Sequence, residues 1–396
     1  MMDMDFTPKK CIIILIILAF LAIAPQLLRP LPLGHDPFYY LAHAGDPQPG
    51  MPPAFFYLAE LPIPLVTFAV VLATLLITYL IHNQLGADNP LSSVALLLAA
   101  PGLLFSMNKF EDDILGLPLC LGAVYLYMKG HKLPAAALLF LTFFVAWRGA
   151  LAFAAMLMLQ WLSKHFKYWY FALPLLCLYF WPNSLVGEEM FGLALVPVVL
   201  LGLLWGMLQW QKTCRFNRVW ASFFLFLGVV NAKWLWLAAF PLALMTHEWS
   251  WERKKSVAIL ICGGLLFGGY WVVKAEPTMQ QFDDLMEIKN STTGMISNSW
   301  QTGHWANYLG IDTLNNNLNP QEIRGMKPPP WDTQYAIWHN FTNPLTGYVL
   351  VKNYSWIGLY EKEVTVNESV PFTASMGPLK PLEESQASTQ SLVTSR

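Results

Sequence analysis

From Cys11 to Leu28 the chain carries no charged residue, and that run is as long as the roughly 20 apolar residues needed to cross a hydrocarbon layer of about 30 Å. Comparable runs recur at Pro62 to Ile81 and Phe191 to Trp210. Stretches of this kind cannot coexist with a water-facing surface, so the chain reads as a polytopic membrane protein. Composition agrees: 55% of residues are hydrophobic and 12% charged, whereas soluble domains carry about 25%. The first run follows Lys9-Lys10 and contains Ala22-Ile23-Ala24, a pattern shared with signal-peptide cleavage sites. Pro25 and the apolar residues continuing to Leu28 make it a retained anchor instead.

Splitting the apolar regions at their polar breaks gives about eleven spans: 11-29, 62-82, 91-107, 114-128, 133-147, 149-163, 168-182, 190-210, 219-232, 234-247 and 256-273. Alternate connections hold 12 basic residues, among them Lys129, Lys132, Lys164, Lys167, Arg215 and Arg218, while the opposite connections before the tail hold only Arg29, Lys109, Arg148 and Lys233. The positive-inside bias puts the N-terminus in the cytoplasm. An odd number of spans then leaves residues 274-396 outside, and acceptor triplets at Asn290, Asn340, Asn353 and Asn367 accord with that side. The pairs 133-163 and 219-247 are the sensitive points, because one straight helix in either place would move the tail inside.

The expected organisation is a mainly α transmembrane bundle over 1-273, a small external α/β domain over 274-373 and a disordered end over 374-396, in a multi-pass cell membrane protein. Gly347 to Val351 and Tyr354 to Tyr360 read as two strands joined at Lys352-Asn353. The five cysteines all lie in or beside apolar spans, so no disulfide framework or zinc site is indicated. A net charge of -1 gives no reason to expect a nucleic-acid partner.

Charges beside hydrocarbon carry the functional information. Asp36, in the first external connection, has the position either of a cap ahead of Pro37 or of a base and divalent-cation ligand. Glu111, Asp112 and Asp113 open the span at 114, where acids are costly unless solvated, paired or cation-bound; they suit the dipole of a helix start as well as a metal holding a phosphate. Arg148 and Lys233 are candidates for a lipid phosphate, or snorkelling cations. Trp300, Gln301, His304 and Trp305 combine rings, amide and imidazole in a way that suits sugar or peptide recognition as well as interfacial anchoring. Glu188-Glu189 is outward by the same topology and reads as a pair of loop acids or as a third element of the site.

Together these residues resemble the C-type membrane glycosyltransferases, and most of all archaeal oligosaccharyltransferase catalytic subunits. Asp36-Pro37-Phe38-Tyr39-Tyr40-Leu41 is similar to that family's Asp-x-Tyr-Tyr-His-Leu segment, and Glu111-x-Asp113 to its second acidic motif. Trp300-Gln-Thr-Gly-His304 sits where the family carries Trp-Trp-Asp-Tyr-Gly. The resemblance implies transfer of a sugar or oligosaccharide from a polyprenyl-(pyro)phosphate carrier to a protein acceptor, asparagine foremost. It also implies that Asp36, Glu111 and Asp113 are catalytic, that they hold Mg²⁺ or Mn²⁺, and that Trp300 contributes to the acceptor surface. Gln301 and Thr302 stand at the family's acidic and tyrosine positions, and there is no Thr-x-x-Glu element before the last spans. The competing expectations are a transporter or channel, or a catalytically silent scaffold with a binding tail.

Overall fold

A computed structural model describes residues 8–34, 36–46, 53–87, 89–172, 214–230, 232–250, 254–298, 300–313, 333–338 and 347–363. Residues 1–362 form one compact unit; 363–396 form a second, of which Glu363 alone is described. The helices of the first unit are α1 (Pro8–Leu27), α2 (Asp36–Ala42), α3 (Pro53–Leu58), α4 (Ile63–Gln84), α5 (Pro90–Ala95), α6 (Pro101–Met107), α7 (Asp112–Met128) and α8 (Lys132–His165). They continue with α9 (Arg215–Val230), α10 (Ala239–Ser250), α11 (Lys254–Lys274), α12 (Met279–Ser291) and α13 (Trp300–Tyr308).

Every expected span coincides with helix except 168-182 and 190-210, which fall largely or wholly outside the described residues. By length and composition alone, four helical stretches could cross a membrane: Pro8–Leu27, Ile63–Gln84, Lys132–His165, which is interrupted at Ala146, and Ala258–Ser291, which runs from α11 into α12. A fifth is added if Pro90–Ala99 and Pro101–Met107, bent by 87°, count as one broken span. The rest are shorter than the bilayer core. At 17 residues, α7 reaches only about 25 Å.

The chain folds back within α8. Ala146 leaves helical geometry (φ -147, ψ 71), and packing on α7 shows the reversal. Before the break Leu138 faces Gly122 and Ala146 faces Gly116; after it Gly149 faces Cys120, and Lys164 Nζ lies 5.8 Å from the Tyr127 ring centre. A straight helix would carry Lys164 about 27 Å past Ala146, so the two limbs run antiparallel. Small residues at Gly116, Ala146 and Gly149 let the backbones approach this closely. A second reversal follows α9: Leu235 packs on Gly228, with its Cα 3.0 Å from where a Cβ would stand, and Asn217 Nδ2 donates to Pro241 O at 3.2 Å. Neither sensitive pair is a single straight helix.

These reversals bring several helix ends together at one face of the bundle. The Arg29 guanidinium, just past α1, donates to the carbonyls of Val272 (2.6 Å), Ala275 (2.7 Å) and Pro277 (2.9 Å), closing the end of α11. A cation there also complements the negative end of the helix dipole. Asn108, after α6, donates to Ala22 O at 2.9 Å. Contacts at the other end of the bundle include Lys164 with Tyr127 and Gln160 Nε2 donating to Phe216 O.

On the Arg29 end sits a layer built from α12, α13 and a four-stranded sheet. Thr278 begins α12 with a reciprocal capping box to Gln281, satisfying two otherwise orphaned donors. The strands are β1 (Ile296–Asn298), β2 (Tyr335–Trp338), β3 (Tyr348–Asn353) and β4 (Gly358–Lys362), in the order β1-β2-β4-β3. β1 runs parallel to β2, while β2/β4 and β3/β4 are antiparallel. The expected β3/β4 pairing is present, but its turn lies at 354–357, closed by Tyr354 N donating to Ile357 O at 2.8 Å, not at Lys352-Asn353. Burying Tyr354 and Ile357 in the layer's core draws those residues out of the strands, and a bulge between Leu350 and Lys352 takes up the register. The same core includes Phe38 of α2, so the layer is joined to the loop that carries Asp36.

Candidate functional site

Gly34 is the junction of this arrangement. Its φ of +93° favours glycine strongly. Its N–H donates to Glu276 O at 3.2 Å, and its carbonyl accepts from Trp305 Nε1 at 3.2 Å. Leu33 makes an isolated parallel bridge with Lys109. A Cβ on Gly34 would lie 3.7 Å from Glu111 Oε1. Three distant parts of the chain thus hold the segment leading into Asp36, and the second acidic motif is one of them.

Asp36 opens α2 and is half-buried. Glu111, extended at φ -128 and ψ 157, precedes α7 and pairs with Lys109 Nζ at 3.0 Å. Lys109 is itself buried and lies over the Phe105 ring. Asp112, in the first turn of α7, accepts from Asp113 N at 2.9 Å. All three acids act on one phenol: burial raises the Tyr40 pKa, and the charges of Asp36, Asp112 and Glu111 raise it further. Phe55, Phe56 and Phe110 pack around the same ring, which lowers the local polarity and strengthens that electrostatic effect. Asp113 is buried on the bundle side, where its charge reaches Cys120.

The segment leading into Asp36 therefore abuts Glu111, and Asp112 and Asp113 follow Glu111 in the first turn of α7. Among the described residues no three His, Cys, Asp or Glu side chains form a ready metal-ligand group. Arg148 follows the α8 reversal at this same end; it is exposed and lies over the Trp147 ring at 5.2 Å. Lys233 lies in the 3-10 stretch Ala232–Ala238, and Trp300 and Gln301 open α13, but their side chains lie outside the described residues, as do Glu188 and Glu189. His304 and Trp305 are buried. Their rings fill the seam between α13 and α2, where Tyr39 meets His304 at 5.1 Å, so they support the site and do not form an open recognition platform.

Sequence reasoning gave no role to Lys109, Tyr40, His43, Asn307 or the Arg29 cluster. A lysine beside three acids was the available signal for the first, and an arginine directly after a span for the last. Nothing local marks His43 or Asn307, which meet only through the packing of α2 on α13. No protein-family model and no curated protein matches this chain.

Proposed function

We propose that the protein is a membrane glycosyltransferase that moves a sugar or oligosaccharide from a polyprenyl-phosphate or pyrophosphate carrier to a protein acceptor, with asparagine the first acceptor to test. The observation that carries this reading is the packing of the segment that opens on Asp36 against Glu111, whose Oε1 lies 3.7 Å from where a Cβ on Gly34 would stand, beneath a folded layer and at the end of an apolar bundle. A lipid-borne donor needs its phosphate at a membrane surface and its glycan beyond it. A transporter reading fits less well, because such proteins keep ionisable groups near mid-membrane and these acids stand at helix starts.

In this reading Asp36 orients the acceptor and takes its proton as the bond from the anomeric carbon to the carrier phosphate oxygen breaks. The electron pair leaves with the phosphate, and the new bond forms from the acceptor atom to the anomeric carbon. Lys109 keeps Glu111 in place, and Arg148 meets the lipid phosphate from the bundle side. The oxygen-only donor set suits a hard divalent cation. Mg²⁺ is commonly held by one or two carboxylates together with substrate phosphate, so the absence of a three-ligand group among the described residues leaves a site in which one or two of Asp36, Glu111 and Asp112 would hold the ion and the donor phosphate would complete it. Bound Mg²⁺ or Mn²⁺ would supply neutralisation of the departing phosphate. The end bearing Lys164, Lys167 and Arg215 faces the cytoplasm by the positive-inside bias, which turns the site and the folded layer outward across about eleven spans.

The test is transfer from lipid-linked sugar to an asparagine-containing peptide by purified protein with Mn²⁺, compared with EDTA and with Asp36→Asn. Transfer that depends on both the cation and Asp36 is expected; equal transfer in all three, or none with any donor, rejects the proposal.

A further inference from the structure

The face of α2 that carries Asp36 continues beyond the acids. At about 100° per residue, Asp36, Tyr39, Tyr40 and His43 share one side of the helix, and His43 N donates to Tyr39 O at 3.3 Å to prolong the turn. One flank of that face, Tyr40, is turned to Phe110, the residue before Glu111, with ring centres 6.1 Å apart. The other, Tyr39, is turned to α13, with ring centres 5.1 Å from His304 and 4.9 Å from His43. At the far end His43 Nε2 lies 3.5 Å from Asn307 Nδ2. The face is therefore the floor of a seam, with acids along one wall and α13 along the other.

Burial divides the seam by chemistry. Phe38, Tyr40, His304 and Trp305 are buried, whereas Asp36, Tyr39, His43 and Asn307 are only partly so. Among the described residues, the groups of this face and of α13 left towards solvent beyond Asp36 include a phenol hydroxyl, an imidazole and a carboxamide, donors and acceptors beside aromatic edges. Such a rim matches sugar hydroxyls better than phosphate or carboxylate. Asp36 and His43 are separated by about 10 Å along the helix, the span of a linked pair of pyranose rings.

We propose that Tyr39, His43 and Asn307 form a saccharide subsite that holds the hydroxyls of a glycan whose reacting end lies at Asp36. This rests on the transferase reading for its orientation, but saccharide binding can be measured without transfer. The full chain in nanodiscs is titrated with free chitobiose and cellobiose by saturation-transfer NMR, as wild type, His43→Ala, Asn307→Ala, His43→Gln and Gly263→Ala. Loss of a hydroxyl contact predicts roughly fivefold to tenfold weaker binding for each alanine variant. His43→Gln, which keeps a donor and an acceptor, is expected to recover most of the affinity, and Gly263→Ala on α11, where a Cβ meets nothing within 4 Å, to leave it unchanged. No saccharide binding by the wild type, or equal binding by all variants, overturns the subsite. If binding follows the expected pattern while no donor supports transfer, the subsite stands and the transferase reading falls. With transfer in hand, a raised KM for the lipid-linked donor in His43→Ala assigns the subsite to the donor glycan, and a raised KM for a free glycan acceptor assigns it to the acceptor.

Discussion

Replacing Trp305 with phenylalanine tests whether the outer layer holds the acidic segment in place. The indole is fully buried, packs 5.8 Å from Trp356, and gives its only N–H to the carbonyl of Gly34. Trp356 in turn donates to Asp284 on α12 at 2.8 Å. Trp305→Phe keeps an aromatic ring in the seam but leaves the buried Gly34 carbonyl without that donor, a loss of about 1–3 kcal/mol. The smaller ring adds a void that increases the loss. If the loss falls on local opening of the Gly34 to His43 segment, amide exchange there should rise by roughly 5- to 150-fold, at about 1.4 kcal/mol per factor of ten. Hydrogen exchange by mass spectrometry in nanodiscs resolves this segment from α4, which should not change. Faster exchange confined to 300–308, with the Gly34 to His43 segment unaltered, would refute the idea that Trp305 positions Asp36.

Three further outcomes follow from the packing. Arg29→Met removes the fork that gathers the carbonyls of Val272, Ala275 and Pro277 and should cost about 3 kcal/mol or more, seen as a lower unfolding temperature in detergent; Arg29→Lys, a point charge without the fork, should restore less than half, and an unchanged melt for Met would contradict the assignment. Gly264→Ala should destabilise by about 1–3 kcal/mol, because its Cβ would lie 2.5 Å from Ala99 Cα, while Gly263→Ala, with nothing within 4 Å, should not destabilise; equal effects would show that α11 does not pass the 3-10 stretch Leu96–Ala99 between α5 and α6 this closely. Single cysteines at Asp46 and Asn290, in a chain otherwise free of cysteine, should react with an impermeant maleimide from the same side of sealed vesicles, and one at Lys164 from the other; Lys164 reacting from the Asp46 side would undo the reversal in α8, and Asn290 reacting from the Lys164 side would undo the one after α9.

The apolar runs were legible in the sequence because hydrocarbon length is a one-dimensional requirement, and so was the acidic segment at 111–113 beside a span. The β3/β4 pair was legible too, through alternating rings and branched residues, although its turn was set by burial of Tyr354 and Ile357 in a core no local pattern reveals. The reversal at Ala146 has no proline to announce it; it depends on Gly116 and Gly149, whose missing side chains matter only once α7 is in contact. Trp305 and His304 looked like surface aromatics because composition does not tell a ring that binds a ligand from one that fills a seam. The nearness of Asp36 to Glu111 could be anticipated from topology alone. Its anchoring through both backbone groups of Gly34 could not, since those partners lie more than 200 residues away in sequence.

In the proposed sugar transfer the acids on α2 and α7 work as one centre, and a double-mutant cycle on transfer rate measures their coupling. Asp36→Asn, Asp112→Asn and the double variant are compared at saturating Mn²⁺ and lipid-linked donor. Residues acting as a unit lose their function together, so the double variant should be no slower than the slower single one, to within about threefold. Losses that multiply fully, or a double variant as active as the wild type, would contradict a shared centre.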